Sequence, residues 1–290
     1  MTLHIGISFD YDSPAGYRES FHIQDMPPDS DQKGTEELLR VLSCHGIKAT
    51  FGIVANAALE GRPPEFCPEQ IRKIHSLGHE IASHSMSHRY LPSMSYQEMT
   101  REFRLSKDTL DKCIGAQIRG FIPPFNRPMH FPSKGAFSLE EMFGLNQRGR
   151  GRQSIETMLR GLHECNYGWS RVSFRSKVSQ FMEYIKRKKS QEIMQPFIFN
   201  NIVAIPLHGV TGFGENAVQL VRTFLGKEKI LTLYGHPNQA LAKNDQSADC
   251  LNAFLKQFNK ERAQSSLTIM TMGEIEKYVR LVSERKGHDG

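Results

Sequence analysis

Short apolar runs alternate with amphipathic stretches from the first residues of this chain, and that alternation limits the fold class more than any other feature. Leu3-His4-Ile5-Gly6-Ile7-Ser8-Phe9 reads as a strand. A polar loop over 25–33 precedes Thr35 to Leu42, whose apolar residues recur in helical rhythm until Gly46 stops them. Ile47 to Val54 is rich in β-branched residues and reads as a second strand. Pro63, Pro64 and Pro68 mark a loop before a helix over 71–77; Gly78 ends it, and His79 to Ser83 is a third strand. The order β, α, β, α, β implies parallel strands joined by crossover helices.

The pattern continues. Ser95 and Glu98 have the spacing of a capping box ahead of a helix over 96–115. Ile118 to Ile122 is a fourth strand, cut off by Pro123-Pro124-Phe125-Asn126, because proline cannot donate to a ladder. Residues 127–201 break the alternation, with helical stretches near 138–145, 153–165 and 176–189. It returns at Ile202 to His208, a helix over 216–225, Lys229 to Tyr234, a helix over 248–260, a strand over 266–270 and a helix over 273–284. This makes about seven parallel strands in one elaborated domain spanning 1–290, with an insertion at about 127–201. A hydrophobic content of 39% with 23% charged residues fits a globular core rather than a disordered chain.

Three strand ends carry polar side chains. Asp10 and Asp12 are two apart, so an extended strand points both the same way. His84 and His88 are four apart, and on a turn of helix they would share one face and could share one metal ion, with ring nitrogens about 2.0–2.1 Å from zinc. His236 follows the strand ending at Tyr234. In a parallel barrel such ends converge on one face, where chemistry is usually done. One carboxylate and two histidines are an ordinary set of protein ligands for hydrolytic zinc. A second carboxylate can take a proton from the activated water, and a separate histidine can protonate a leaving group.

Asp10-x-Asp12, His84-Ser85-x-x-His88, Phe121-Ile122-Pro123-Pro124-Phe125 and Leu233-Tyr234-Gly235-His236 stand in the order of the motifs of the polysaccharide deacetylase family (NodB homology, carbohydrate esterase family 4). Gly46 to Phe51 and Gly78 to His84 also resemble that family. The resemblance covers about 3–125 and 228–282. It implies an irregular (β/α) barrel and a metal-dependent hydrolase that removes an N-acyl group, acetyl first among them, from an amino sugar. Position by position, it implies Asp10 as base and Asp12 as metal ligand. The family's two aspartates are adjacent, whereas Tyr11 separates these, so the exchanged assignment stays open. His84 and His88 match the other ligands, Phe125 the backbone oxyanion donor and His236 the general acid. The divalent ion expected is zinc. Pro124, Asn126 and Tyr11, beside these positions, are candidates for substrate contact. The family usually has an arginine just before the Pro-Pro pair, bracing the catalytic aspartate, and here Ile122 stands there. Arg119, at an odd offset along the strand, should face the other side, so either another cation, Arg127 being the nearest, replaces it or the aspartate is left unbraced.

Other residues have plainer readings. Trp169 could stack on a sugar or sit in the core. His79 reads as a core residue, His45, His75 and His163 as surface or helix residues, and His208 as a strand-end residue within reach of the site. The five cysteines are scattered, with no CxxC pair, and read as reduced thiols. The chain opens directly on a strand pattern and has no membrane-length apolar run, so a cytoplasmic protein is expected. The net charge of +6 lies wholly in 130–199, with twelve Lys or Arg against six Glu. Lys186-Arg187-Lys188-Lys189 is its densest run. Such a segment could meet an anionic membrane surface or the phosphate of a nucleotide- or lipid-linked sugar. No nucleic-acid recognition motif accompanies it. Two other functions share these features: hydrolysis of another non-peptide C–N bond, such as deformylation or ureide opening, and a non-catalytic metal- or sugar-binding module.

Overall fold

The computed structural model describes residues 1–14, 16, 27–128, 153–173, 193–208 and 210–288. Nine strands form one curled sheet: β1 (Leu3–Tyr11), β2 (Thr50–Ile53), β3 (Glu80–Ser83), β4 (Gly120–Phe121), β5 (Trp169–Val172), β6 (Phe197–Phe199), β7 (Ile202–Pro206), β8 (Lys229–Gly235) and β9 (Leu267–Met270). The order is β6-β7-β5-β4-β3-β2-β1-β8, with β9 also paired to β1. Every pairing is parallel except β6 with β7. The architecture is the expected irregular α/β barrel, with two strands more than the seven read from sequence. Both additions, β5 and β6, lie inside the 127–201 insertion, where four- and three-residue strands leave almost no periodic signal. The helical readings over 138–145 and 176–189, and the run from Lys186 to Lys189, lie outside the described residues.

β1 lies one strand in from the β8 end of the sheet. β8 pairs with it from Leu3 to Phe9, while β9 takes residues 3–6 and β2 takes residues 8–11. Leu3, Ile5, Ile7, Phe9 and Tyr11 are fully buried. The alternate set, Gly6, Ser8 and Asp10, faces the other way, as period two requires. This has a consequence for Tyr11, taken in sequence as a substrate contact. It lies on the face opposite Asp10, and its hydroxyl donates to Gln70 Oε1 at 3.1 Å. The alternation that pairs Asp10 with Asp12 sends Tyr11 outward among the helices.

Among the described residues, eight helices cover the sheet: α1 (Ser30–Cys44), α2 (Pro68–Ser76), α3 (Tyr96–Ile114), α4 (Ile155–Glu164), α5 (Glu215–Phe224), α6 (Ala248–Gln257), α7 (Asn259–Ala263) and α8 (Met272–His288). The capping box of α3 forms as its sequence suggests. Ser95 Oγ accepts the Glu98 N–H at 3.2 Å, and Glu98 Oε2 accepts the Ser95 N–H at 2.8 Å. Gly115, at φ 68°, ends the helix in the left-handed region that glycine enters without strain. Phe103 of α3 meets Phe121 of β4 edge-on at 4.7 Å. Full burial of each ring is worth about 1.5–3 kcal/mol.

No backbone ladder joins β7 to β8, and side chains close this seam. Gln195 Nε2 donates to Ile230 O at 3.3 Å, and Gln195 Oε1 accepts the Ile230 N–H at 2.8 Å, imitating a strand. His208 Nδ1 accepts the Thr232 N–H at 3.0 Å, and Nε2 donates to Met194 O at 3.0 Å. Both ring nitrogens of His208 are therefore committed to the seam rather than to the strand-end site. All five cysteines are free. Among the described residues no helix is long and apolar enough to cross a membrane.

Candidate active site

β1 delivers Asp10 and Asp12, both buried, to one end of the sheet. β3 ends at Ser83, and His84 to His88 follow as an irregular loop rather than the helical turn expected. Ser85 and His88 have φ of 65° and 58°, in the left-handed region. The Ser85 hydroxyl accepts the His88 N–H at 2.9 Å, and Glu102 accepts the N–H groups of Met86 and Ser87 at 3.0 and 3.1 Å. These side-chain acceptors satisfy the turned backbone in place of a helix. The loop brings the two imidazoles within 4.9 Å, centre to centre.

His84 Nε2 lies 3.3 Å and His88 Nε2 3.4 Å from Asp12 Oδ1. His84 Nδ1 donates to Ile122 O at 2.7 Å, which turns Nε2 towards the aspartate. Asp12 Oδ1 is buried with no hydrogen-bond donor. Burial works against ionising Asp12, but His88 and His84 beside it hold its carboxyl well below the usual carboxylate range. Three donor atoms of suitable type, all buried, converge within 4.8 Å of one another. An orphaned carboxylate oxygen facing two imidazole nitrogens fits a divalent cation.

Asp10 is braced by a residue that the sequence reading missed. Arg171, fully buried on β5, donates through Nη1 to Asp10 Oδ1 at 2.7 Å and through Nη2 to Asp10 Oδ2 at 2.5 Å. It also donates to Ser8 Oγ at 3.1 Å and Asn126 Oδ1 at 2.8 Å. Burial raises the Asp10 pKa, and the guanidinium outweighs that and lowers it below its ordinary value. Neither Arg119 nor Arg127 takes this place. Arg119 faces away, as expected, with Nη2 2.6 Å from Glu276 Oε1. Ile122, at the family's arginine position, is buried, and its Cδ1 would lie 2.8 Å from a Cβ added at Gly52. Ser170 pairs with Phe121, so Arg171 follows its strand partner as Ile122 follows its own. Arg171 thus supplies a cation from the strand next to that of Ile122, at the same level.

The Pro-Pro loop turns sharply at Phe125 and Asn126, with φ of 58° and 53°. A phenylalanine in this region costs on the order of 1–2 kcal/mol and is held by its surroundings. The Phe125 ring packs on His88, centroids 4.6 Å apart, and Pro124 is buried beneath. Asn126, expected to touch substrate, has its oxygen committed to Arg171, and its Nδ2 points to Tyr234 Oη at 3.4 Å. His236 follows β8, half-buried, with its ring 5.7 Å from that of Tyr234. Burial pulls its pKa down, but Asp12 and Asp10 raise it above the ordinary imidazole value. The Tyr234 ring lies 4.8 Å from the Arg171 guanidinium carbon, linking the His236 side of the site to the Asp10 brace.

Trp169 does not belong to this surface. It is fully buried below the site, and its Nε1–H donates to Glu80 Oε1 at 3.0 Å. An indole with no exposed face cannot stack on a sugar. His79 is also in the core, accepting the Ala49 N–H at 3.2 Å on Nδ1.

Comparison with known proteins agrees with the resemblance drawn from the motifs. Residues 5–130 match the family model described as polysaccharide deacetylase. The described fold is similar to that of a candidate polysaccharide deacetylase of Mycobacterium smegmatis, with a TM-score of 0.65 and 16% identity over 97% of this chain and 91% of that one. It is also similar to a protein of Pseudomonas aeruginosa described as a probable polysaccharide deacetylase, with a TM-score of 0.61 and 14% identity over 95% and 90%. The Puue allantoinase gives the same TM-score of 0.61 and 14% identity over 95% and 89%. Residues 5–130 therefore resemble the polysaccharide deacetylases, a family of hydrolases.

Proposed function

From this kinship and the geometry of the strand ends, we propose a metal-dependent hydrolase that removes an N-acyl group, acetyl in the simplest case, from an amino sugar. The observation that carries the reading is the convergence of Asp12, His84 and His88 beside a separately braced Asp10. Asp12, His84 and His88 would hold the divalent cation, zinc being the natural choice for one oxygen and two nitrogens. Bound there, such an ion supplies a water of lowered pKa and polarises the acyl oxygen.

The chain's own groups do the rest. Asp10 is held ionised and oriented by Arg171, and accepts the proton of the attacking water on a carboxylate oxygen. The backbone amide of Phe125, beside His88, is the donor we assign to the developing oxyanion. His236, with its pKa raised, carries the proton that goes to the departing amine. Asp10 is the base and Asp12 the ligand because Arg171 satisfies both oxygens of Asp10, while Asp12 keeps a bare oxygen aimed at the histidines. The non-catalytic reading rested on the missing arginine at 122, and Arg171 removes that ground.

The basic excess over 130–199 favours a substrate that carries phosphate, and an address in the cytoplasm or on its membrane surface. The test is a mass-spectrometric screen of free, nucleotide-linked and lipid-linked N-acetyl and N-formyl sugars, with ureides included because an allantoinase shares the fold. The expected result is release of the free amine from an N-acyl sugar, lost in Asp10→Asn. A metal-loaded protein that opens a ureide and leaves every N-acyl sugar intact would overturn the sugar assignment. Neutralising Lys186, Arg187, Lys188 and Lys189 should raise KM for the phosphate-bearing substrates alone.

A further inference from the structure

Gln246 touches His236 at two atoms. Gln246 Oε1 lies 3.0 Å from the His236 backbone nitrogen and 2.8 Å from its Nδ1. A backbone N–H only donates, so the atom facing it is the amide oxygen, and the orientation of the Gln246 side chain follows. Facing an atom that only accepts, Nδ1 must carry a hydrogen. The neutral ring then has its lone pair on Nε2.

The loop that presents Gln246 is built closely. The Gln246 N–H donates to Asn244 Oδ1 at 2.8 Å, and the Asp245 carbonyl accepts the Phe213 N–H at 2.6 Å. A Cβ on Gly212 would lie 2.5 Å from the Asp245 oxygen, and one on Gly214 would collide with the Asp245 carboxylate. The sequence Gly212-Phe213-Gly214 therefore forms a seat for residues 244–246 that side chains would fill. The charges nearest the ring are Asp10 and Asp12 from β1 and Arg171 from β5. Gln246 adds direction without adding charge.

We propose that Gln246 is a positioning residue that holds His236 in the Nδ1–H tautomer, making Nε2 the atom that exchanges a proton with the substrate. The tautomer stands on the two hydrogen bonds; its catalytic consequence rests on the proposed role of His236 as acid. In that role Nε2–H breaks as the N–H of the departing amine forms. The ring returns to the neutral Nδ1–H form, and solvent later restores the second proton.

The experiment is two-bond proton–nitrogen correlation on the full-length protein labelled with ¹⁵N-histidine, with the His236 signals assigned by their loss in His236→Gln. The neutral ring of the wild type should show the Nδ1–H pattern. In Gln246→Leu it should move to a mixture of tautomers, with kcat down at least tenfold and KM within about twofold. Gln246→Glu keeps an acceptor at the same reach, and should retain the pattern and recover most of kcat. Should Gln246→Leu fail to fold, Gln246→Asn, one methylene shorter, serves in its place. An Nε2–H pattern in the wild type overturns the proposal, as does an Nδ1–H pattern unchanged in a folded Gln246→Leu or Gln246→Asn. The Nδ1–H pattern in a protein that hydrolyses no N-acyl amide would uphold the lock and reject the acid role instead.

Discussion

Arg171 is a guanidinium with no exposed surface, and Asp10 is its one carboxylate partner among the described residues. A buried pair of this kind is costly to break from one side, by about 3–5 kcal/mol, because the remaining charge is left uncompensated. Arg171→Lys keeps the charge but loses the bidentate fork and the reach to Asn126. We expect kcat to fall ten- to a hundredfold with KM little changed and the metal content unaltered, measured by steady-state kinetics and elemental analysis. Arg171 was not legible in the sequence because the pairing spans 161 positions and only sheet order creates it. A second residue-scale prediction concerns His79, whose buried imidazole accepts a backbone N–H and has its pKa lowered to about 4 by burial and by Lys48. The unfolded ring binds a proton below its ordinary value of 6.5 and the folded ring does not, so stability falls as pH drops from about 6.5 towards 4. After allowance for screening, the loss is on the order of 2 kcal/mol. Denaturant titrations at pH 7 and 4.5 should show this loss shrinking in His79→Gln.

At the scale of elements, β1 was readable because it is nine residues long and strictly alternating. Its even positions led to Asp10 and Asp12; the same rule, carried through, would have sent Tyr11 to the helices. The loop from His84 to His88 shows the limit of spacing as a guide. Four-residue separation suggests helix, but Ser85 and His88 bring the rings together through left-handed turns. β5 was missed because four residues between long irregular stretches carry little pattern, and with it went the burial of Trp169. Trp169→Phe should leave KM for any sugar unchanged and cost about 1–3 kcal/mol of stability by stranding the Glu80 oxygen, as thermal melting and kinetics can show. α1 is tied to the strand-end loop at one glycine: a Cβ at Gly34 would collide with the Pro237 carbonyl, one residue beyond His236. Gly34→Ala should therefore lower stability by about 1–3 kcal/mol and slow turnover as well, through displacement of the His236 loop.

Across the whole molecule, the candidate site gathers at one end of a mostly parallel sheet, where β1 carries Asp10 and leads directly into Asp12. The opposite end is tied by the Arg119–Glu276 ion pair and by the hydrogen bond from the Trp169 N–H to Glu80. That division is the usual one for barrels of this type: function at the carboxyl ends of the strands, stability at the other. The central claim is that Asp12, His84 and His88 hold a metal ion while Asp10 does not. Its most direct test is elemental analysis of the full-length protein, purified without chelator, beside Asp10→Asn, Asp12→Ala and His84→Ala. We predict about one divalent ion per chain in the wild type and in Asp10→Asn, and less than a tenth of that in Asp12→Ala and His84→Ala. A metal-free wild type, or metal content unchanged in Asp12→Ala and His84→Ala, would contradict the account.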